Sequence, residues 1–175
     1  EDPLRVWVIG DSLAGPAGSA LRHLAEGGAV RVVAVDFTPG TGLANPANFD
    51  WPALVAERLP EVQPDVVICL LGANDGQDIY VHGEPVVFRS PEWDDVYGGR
   101  VGALMDQLAA GARRVYWVGQ PIMLNPDYDF KVRYVIGALR AQAGLRIDVR
   151  FVDIYDLFGW APGQYAVELP DENGN

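Results

Sequence analysis

The stretch RVWVIGDSL, residues 5–13, decides the fold prediction. It begins with a run of mostly apolar, β-branched residues and continues directly into the turn Gly10-Asp11-Ser12-Leu13. Such a run, ended by a glycine and an aspartate, is typical of a short buried strand. The stretch therefore predicts a strand that ends in a tight turn carrying a serine.

Four further runs of this kind follow, and a helical pattern or a loop comes after each. Strands that alternate with helices form parallel sheets, and continuously apolar strands are buried on both faces. We therefore expect an α/β fold, a three-layer α/β/α sandwich around a five-stranded parallel sheet. The runs are residues 5–9, 30–35, 66–71, 114–118 and 150–154, and the helical signals are Pro16, Trp51-Pro52, Ser90-Pro91 and residues 131–143.

The size and composition of the chain exclude several functional classes. At 175 residues we expect a single domain, residues 1–175, and 49% hydrophobic with 21% charged residues is typical of a globular protein. The net charge of −11 argues against nucleic-acid binding, and the apolar run 66–71 has the length of a strand rather than of a membrane span. The one cysteine, Cys69, excludes a disulfide framework and is expected to be buried.

The residues that follow the predicted strands are the candidates for a site. In open parallel sheets a ligand binds beyond the carboxyl ends of the strands. These ends carry Ser12 and the segments 38–43, 72–75, 120–121 and 153–156. The long irregular segment 76–89 follows the third strand, and long loops in compact domains are often functional.

The turn around Ser12 allows three interpretations. A phosphate loop requires a lysine or a GxGxxG pattern, and residues 10–15 have neither. A serine at this position can simply cap the following helix. Alternatively, its hydroxyl projects into the cleft as a nucleophile, with its backbone N–H near a helix start, where negative charge is stabilised. The turn alone favours the cap.

Two other segments favour the nucleophile. Asn74, in Gly72-Ala73-Asn74-Asp75, brings an amide donor to the same edge of the sheet, and a glycine in residues 38–43 allows a backbone N–H to approach a substrate closely. With Gly10-Asp11-Ser12-Leu13 and Gly42 in this order, the chain resembles the SGNH, or GDSL-type, hydrolases. Residues 72–77, 93–100 and 116–121 resemble a bacterial envelope-associated branch of them, a DUF459-like domain of unknown function.

The resemblance implies a flavodoxin-like strand order, 2-1-3-4-5, and ester hydrolysis or acyl transfer through an acyl-enzyme. By position it implies that Ser12 is the nucleophile, and that an oxyanion hole forms from the N–H groups of Ser12 and Gly42 and the side chain of Asn74. It implies no metal or organic cofactor. It also implies a small-molecule or carbohydrate ester substrate, such as O-acetylated envelope carbohydrate, and an exported, periplasmic or extracellular protein.

The family's general base is a histidine in an Asp-x-x-His motif, which this sequence lacks. Serine needs such a base to act as a nucleophile. His23 lies along the first predicted helix, away from the strand ends. His82, four residues after Asp78 in the loop 76–89, is a disfavoured candidate base: it could reach the cleft, but its spacing and its place in the chain differ from those of the family's base. Asp153 and Asp156 are interpreted as structural, since a carboxylate with a pKa of about 4 is a weak base for serine.

Asp11 and Asp75 are expected to support the site by fixing its turns through bonds from side chain to backbone. We also expect that the natural protein continues with a strand, an Asp-x-x-His loop and the closing helix that this chain lacks. The basis is Asn173-Gly174, a hairpin-turn signal near residue 175. Two alternatives are an inactive binding or scaffolding module without the base, and a nucleotide-binding domain, which the missing phosphate-loop residues disfavour.

The aromatic residues are mostly interpreted as core. Trp93, Tyr97 and Arg100 have helical spacing and are expected to pack their helix onto the sheet, although they could also form a wall for a sugar. Trp51, Trp117 and Trp160 are expected in the core. The acidic segments 127–129 and 171–175 lack the pattern of a calcium site and are interpreted as solvated turns.

Overall fold

The computed structural model describes residues 2–170, and its centre is a five-stranded parallel sheet. The strands are β1 (Leu4–Gly10), β2 (Val30–Phe37), β3 (Val66–Leu70), β6 (Arg114–Val118) and β7 (Val149–Val152). They are arranged β2-β1-β3-β6-β7. This is the predicted order 2-1-3-4-5 when only the strands of this sheet are counted, so the fold prediction is confirmed.

Four helices cover the sheet: α1 (Ala14–Leu24), α2 (Trp51–Val62), α3 (Pro91–Gly111) and α4 (Pro126–Gly144). Helices α2, α3 and α4 pack on one face in a core that contains Trp7, Cys69 and Trp117, while α1 packs on the other face. Cys69 is buried, as expected. Among residues 2–170, no helix combines the length and apolarity needed to cross a bilayer.

Short side-chain caps begin three of these helices. Asp50, Ser90 and Asn125 each accept a hydrogen bond from a backbone N–H in the first turn, and a proline follows within that turn. The cap at Ser90 is where the sequence predicted it. Helix α4 begins earlier than the predicted residue 131, because Asn125 and Pro126 start it through the polar segment that had been interpreted as a turn.

Two hairpins form separate two-stranded sheets. Strands β4 (Ile79–Val81) and β5 (Glu84–Val86) lie in the segment expected to be irregular, with His82 and Gly83 at positive φ in their turn. Strands β8 (Gly159–Ala161) and β9 (Gln164–Tyr165) form the second hairpin. The pair Asn173-Gly174, the basis of the predicted hairpin turn, lies outside the described residues.

One of the three tryptophans expected in the core is not there. Trp51 and Trp117 are fully buried, whereas Trp160 on the β8–β9 hairpin is 63% exposed. The prediction for Trp160 was wrong because a two-stranded hairpin has no second layer behind its outer side chains, and the residue type alone does not indicate this.

Gly10 ends β1 opposite Leu70, the last residue of β3. Its φ is +152°, and a Cβ atom there would lie 2.1 Å from the carbonyl oxygen of Leu70. The backbone N–H of Asp11 donates to the same oxygen, so the oxygen cannot move away without breaking this bond. Glycine at this position therefore allows the two central strands to stay paired up to the start of the Ser12 turn.

We expect Gly10→Ala to lower the free energy of unfolding by about 4 kcal/mol or more, because the added Cβ atom would overlap the backbone of Leu70. The measurement is chemical denaturation of both proteins. Gly99→Ala in α3 is the control, since a Cβ there meets no heavy atom within 4 Å. A Gly10→Ala protein as stable as the Gly99→Ala protein would contradict this account of the strand crossing.

Candidate active site

Ser12 lies at the carboxyl end of β1, in the turn that leads into α1. The turn is closed by a hydrogen bond from the Ala14 N–H to the Asp11 carbonyl oxygen, and the N–H of Thr38 donates to the Gly10 carbonyl oxygen. The ends of β1 and β2 are therefore joined at the turn. Ser12 itself is exposed, so its hydroxyl is accessible to a substrate.

The side chain of Asp11 stabilises this turn. Its Oδ1 accepts a hydrogen bond of 3.0 Å from the N–H of Leu13, which spans Ser12 and is the bond expected from the sequence. The carboxyl group is buried, and its Oδ2 has no hydrogen-bond partner among the described residues. Burial, with a smaller contribution from the nearby carboxyl of Asp75, raises the pKa of Asp11 to about 6.

Asn74 brings the end of β3 against the loop that follows β2. Its Nδ2 donates a 2.9 Å hydrogen bond to the carbonyl oxygen of Thr41, the residue before Gly42. The side-chain amide has two N–H hydrogens, and this bond uses one of them. The structure thus joins the two predicted donor segments, and Asn74 retains a second N–H for another acceptor.

Asp75 determines the path of the Gly42 loop. Its Oδ1 accepts a 2.8 Å hydrogen bond from the N–H of Ala44, and its Oδ2 accepts one of 2.8 Å from the hydroxyl of Tyr97. A Cβ atom on Gly42 would lie 2.1 Å from that Oδ1, so only glycine allows the loop to pass so close to the carboxylate. Burial raises the pKa of Asp75, and the bonds from Ala44 and Tyr97 oppose the increase.

Helices α2 and α3 hold the same loop with two more donors. Arg100 donates from Nη1 to the carbonyl oxygens of both Leu43 and Ala44, at 3.0 and 2.9 Å. The indole N–H of Trp51 donates to the hydroxyl of Thr41. With the bonds to Asn74 and Asp75, five hydrogen bonds of buried or half-buried groups therefore fix a loop that has no regular structure of its own.

The end of β3 is held in a similar way. The indole N–H of Trp117 donates to the carbonyl oxygen of Leu71, and that of Trp93 donates to the carbonyl oxygen of Gln77. The Tyr128 hydroxyl donates to the carbonyl oxygen of Ala73. Sequence analysis identified Trp93, Tyr97 and Arg100 as packing residues, and Trp93 and Tyr97 are indeed fully buried. The sequence did not predict that the polar atoms of these side chains hold the loops of the site. Helical spacing indicates which face of a helix is buried, but it does not indicate the hydrogen-bond partners of the side chains on that face.

The two histidines lie elsewhere. His23 is exposed on α1 and pairs with Glu26 at 3.8 Å, and His82 is exposed in the turn between β4 and β5. Within residues 2–170, neither forms a hydrogen bond with Ser12. No group of three or more His, Cys, Asp or Glu side chains in this range could hold a metal ion.

Asp153 and Asp156 are occupied by structural contacts, as the sequence suggested. Asp153 forms an ion pair with Arg140 and accepts a bond from the N–H of Tyr155, and Asp156 accepts one from the N–H of Gly163. These bonds tie the segment after β7 to α4 and to the β8–β9 hairpin.

Solved structures with this fold are ester-cleaving enzymes in several cases. The acetylxylan esterase Axe2 from Geobacillus stearothermophilus, as a catalytic mutant, is 13% identical with a TM-score of 0.63, covering 95% of this chain and 88% of its own. TesA is 22% identical with a TM-score of 0.55 over 97% of this chain and 87% of its own. A candidate acylhydrolase from Bacteroides fragilis is 14% identical with a TM-score of 0.63, covering 99% and 80%. No curated protein matches the chain.

The sheet order, the layers and these neighbours define the fold as that of the SGNH hydrolases. Within this class, a family model matches residues 5–175. The chain belongs to that family, DUF459, which is described as proteins of unknown function.

The pKa of Asp11 leads to a prediction about stability and pH. Because its pKa is raised in the folded state, the fold favours the neutral carboxyl, and stability from this group is lost as the pH rises from about 4 to about 6. We expect Asp11→Asn to gain about 3 kcal/mol of unfolding free energy relative to the unsubstituted protein across this interval, since one pKa unit corresponds to about 1.4 kcal/mol.

Urea denaturation of both proteins at several pH values between 4 and 7 measures this difference. Asn at position 11 retains an oxygen for the N–H of Leu13, so the turn itself is preserved. A difference between the two proteins that does not vary with pH would show that burial does not raise the pKa of Asp11.

Tyr97→Phe tests the support of the Gly42 loop. Removing the hydroxyl leaves a buried carboxylate oxygen of Asp75 without its donor, and we expect a loss of about 1–3 kcal/mol of unfolding free energy. Tyr134→Phe is the matched control, since that hydroxyl binds the exposed Asp94 and its loss should cost about 0.5 kcal/mol or less. Equal losses in the two variants would contradict the role given to Tyr97.

Proposed function

We propose that this chain is a serine esterase or acyltransferase that forms an acyl-enzyme on Ser12. The observation that carries the proposal is the bond from Asn74 Nδ2 to the Thr41 carbonyl oxygen, which joins the two candidate donor segments. They follow β2 and β3, at the edge of the sheet where the end of β1 presents the exposed Ser12. The fold shared with ester-cleaving enzymes supports the same reaction class.

In the proposed reaction, Ser12 Oγ attacks the carbonyl carbon of an O-acyl ester. The bond from Oγ to carbon forms while the carbonyl oxygen becomes an oxyanion, which accepts hydrogen bonds from the N–H groups of Ser12 and Gly42 and from the second Nδ2 hydrogen of Asn74. Collapse of this intermediate breaks the ester C–O bond. The proton that the base took from Ser12 goes to the departing oxygen, so the alcohol leaves and the acyl group remains on Ser12. Water or a second hydroxyl then attacks the acyl carbon, giving hydrolysis or transfer.

The supports described above have a function in this scheme. Donors stabilise an oxyanion best when they are already oriented before the charge develops. Asp75, Arg100 and Trp51 hold the Gly42 loop through buried or half-buried bonds, so its N–H needs no rearrangement during the reaction. This is the contribution that residues 2–170 make to the proposed chemistry.

The general base has to come from a group other than those described. Ser12 needs a base to accept its proton, and neither histidine of residues 2–170 is bonded to it. His82 lies in the β4–β5 turn and makes no contact that would orient it as a base. We propose that a histidine of the Asp-x-x-His type, supplied in addition to the described residues, takes this role.

We also propose a carbohydrate as the alcohol part of the ester, and a location outside the cytoplasm, in the periplasm or beyond. The support for the carbohydrate is the shared fold with an acetylxylan esterase. The support for the location is the resemblance of residues 72–77, 93–100 and 116–121 to an envelope-associated branch. Cell fractionation followed by detection of the protein tests the location, and a cytoplasmic pool alone would contradict it.

A binding module without catalysis is the second candidate. It is favoured by one observation, the absence of a histidine bonded to Ser12 within residues 2–170. In this case the fold and the Gly42 loop would hold an acylated sugar without cleaving it.

A fluorophosphonate probe separates the two candidates, because it labels only an activated serine. We expect labelling of the natural full-length protein, with the proposed histidine present, and hydrolysis of p-nitrophenyl acetate by it, both lost in Ser12→Ala. Ser19→Ala is the control, since Ser19 is an exposed serine on the following helix. A folded full-length protein that is not labelled, or that is labelled equally after Ser12→Ala, would reject Ser12 as the nucleophile.

Asn74→Ala tests the oxyanion hole. We expect kcat to fall about 10²- to 10³-fold with a smaller change in KM, because the donor acts mainly on the transition state. Retention of kcat in a variant that remains folded would remove Asn74 from the proposed mechanism.

A further inference from the structure

An open pocket of about 400 Å³ lies between α4 and the segment that follows β7. Arg133, Gly137 and Arg140 line it from the helix, and Asp153, Tyr155 and Asp156 line it from the other side. That segment leaves the carboxyl end of β7, so it belongs to the same edge of the sheet as Ser12. Neighbouring strands are about 4.8 Å apart, so the three steps from β1 to β7 span about 14 Å.

The walls of the pocket are held by contacts between their own side chains. Arg140 forms an ion pair with Asp153, and the Tyr155 hydroxyl donates a 2.6 Å hydrogen bond to Asp129. The guanidinium carbon of Arg133 lies 5.8 Å from the centre of the Tyr155 ring. These contacts join the helix to the segment after β7 and give the pocket a defined shape.

Donors and acceptors nonetheless remain for a ligand. Within residues 2–170, Arg133 forms no ion pair or hydrogen bond, and Asp156 uses only Oδ1, which accepts the N–H of Gly163. Two arginines and two aspartates line the pocket, so their formal charges cancel. An ionic ligand gains little from such a lining, whereas an uncharged ligand with several hydroxyl groups can accept from Arg133 and donate to Asp156.

Gly137 provides a second, independent observation. It lies in the middle of α4, where glycine costs about 1 kcal/mol relative to alanine. A Cβ atom at this position would meet no heavy atom within 4 Å, so packing within the described residues does not require glycine. Glycine is commonly found where a ligand approaches the backbone closely, and Gly137 lines the pocket.

We propose that this pocket is a binding subsite for an uncharged sugar unit of an oligosaccharide. Arg133 and Asp156 bind its hydroxyl groups, and the bare backbone at Gly137 makes room for the ring. The inference rests on the proposed function in one respect, that the bound oligosaccharide is the alcohol part of the ester at Ser12. The subsite then holds a unit of the chain some distance from the acyl group.

Binding of non-acylated tetrasaccharides tests the proposal without depending on catalysis. Isothermal titration uses the unsubstituted protein with xylotetraose, cellotetraose and chitotetraose as uncharged probes, and tetragalacturonate as the acidic comparison. We expect at least one uncharged probe to bind, with Arg133→Ala and Asp156→Asn each raising its Kd at least tenfold. No binding of any uncharged probe, or tighter binding of tetragalacturonate, would overturn the proposal.

Gly137→Ala separates a loss of binding from a loss of folding. We expect this variant to raise the Tm by about 2–4 °C, as an alanine in an open helical position should, while its Kd for the same probe rises at least tenfold. Gly99→Ala, equally open but outside the pocket, should raise the Tm without changing the Kd. Unchanged binding by Gly137→Ala would reject the subsite.

The outcome is distinguishable from a failure of the proposed function. Sugar binding that depends on Arg133 and Gly137, in a protein whose Ser12 is not labelled by a fluorophosphonate, supports the subsite and rejects the esterase. Labelling of Ser12 without such binding supports the esterase and rejects the subsite.

Discussion

The buried carboxylate of Asp75 is the constraint on which the candidate site depends. Its two oxygens bind the N–H of Ala44 and the hydroxyl of Tyr97, and one of them lies where a side chain at Gly42 would begin. A buried carboxylate is unfavourable unless its oxygens are hydrogen-bonded, so the loop after β2 and helix α3 are both held to the end of β3. Asn74 is the residue before Asp75 in the chain, and the loop that contains Gly42 lies directly against the Asp75 carboxylate.

The aromatic residues of the core also hold the loops of the site, through hydrogen bonds from their polar atoms. The indole N–H groups of three tryptophans donate hydrogen bonds to oxygen atoms of the loops at the carboxyl edge of the sheet; these are Trp51, Trp93 and Trp117. Large rings bury much apolar surface, while a buried N–H requires an acceptor, and the irregular loops offer carbonyl and hydroxyl oxygens. The same side chains therefore stabilise the core and restrict the loops, which explains how a site made of loops remains ordered.

Two acidic groups lie under the nucleophile turn, and they differ in how well they are satisfied. Asp75 has a donor on each oxygen, whereas Asp11 has the N–H of Leu13 on Oδ1 and no hydrogen-bond partner on Oδ2 within residues 2–170. Burial of Asp11, with a smaller contribution from the charge of Asp75, raises the pKa of Asp11 to about 6, so the turn that presents Ser12 contains a carboxyl group that favours its neutral form more than an exposed aspartate does. The state of that turn is thereby linked to pH independently of any base.

The sequence alone predicted the fold class, the strand order through its likeness to a family, and the edge of the sheet to which Ser12, Gly42 and Asn74 belong. Those features follow from local periodicity and from short motifs, which neighbouring residues encode. Only the tertiary structure decided that Arg100 and Tyr97 support the Gly42 loop, that His82 occupies a hairpin turn, that Trp160 is exposed, and that Arg133 and Gly137 line a pocket. These depend on which side chains meet across long separations in the chain, and a hydrogen-bond partner 22 or 57 residues away leaves no periodic signal in the sequence.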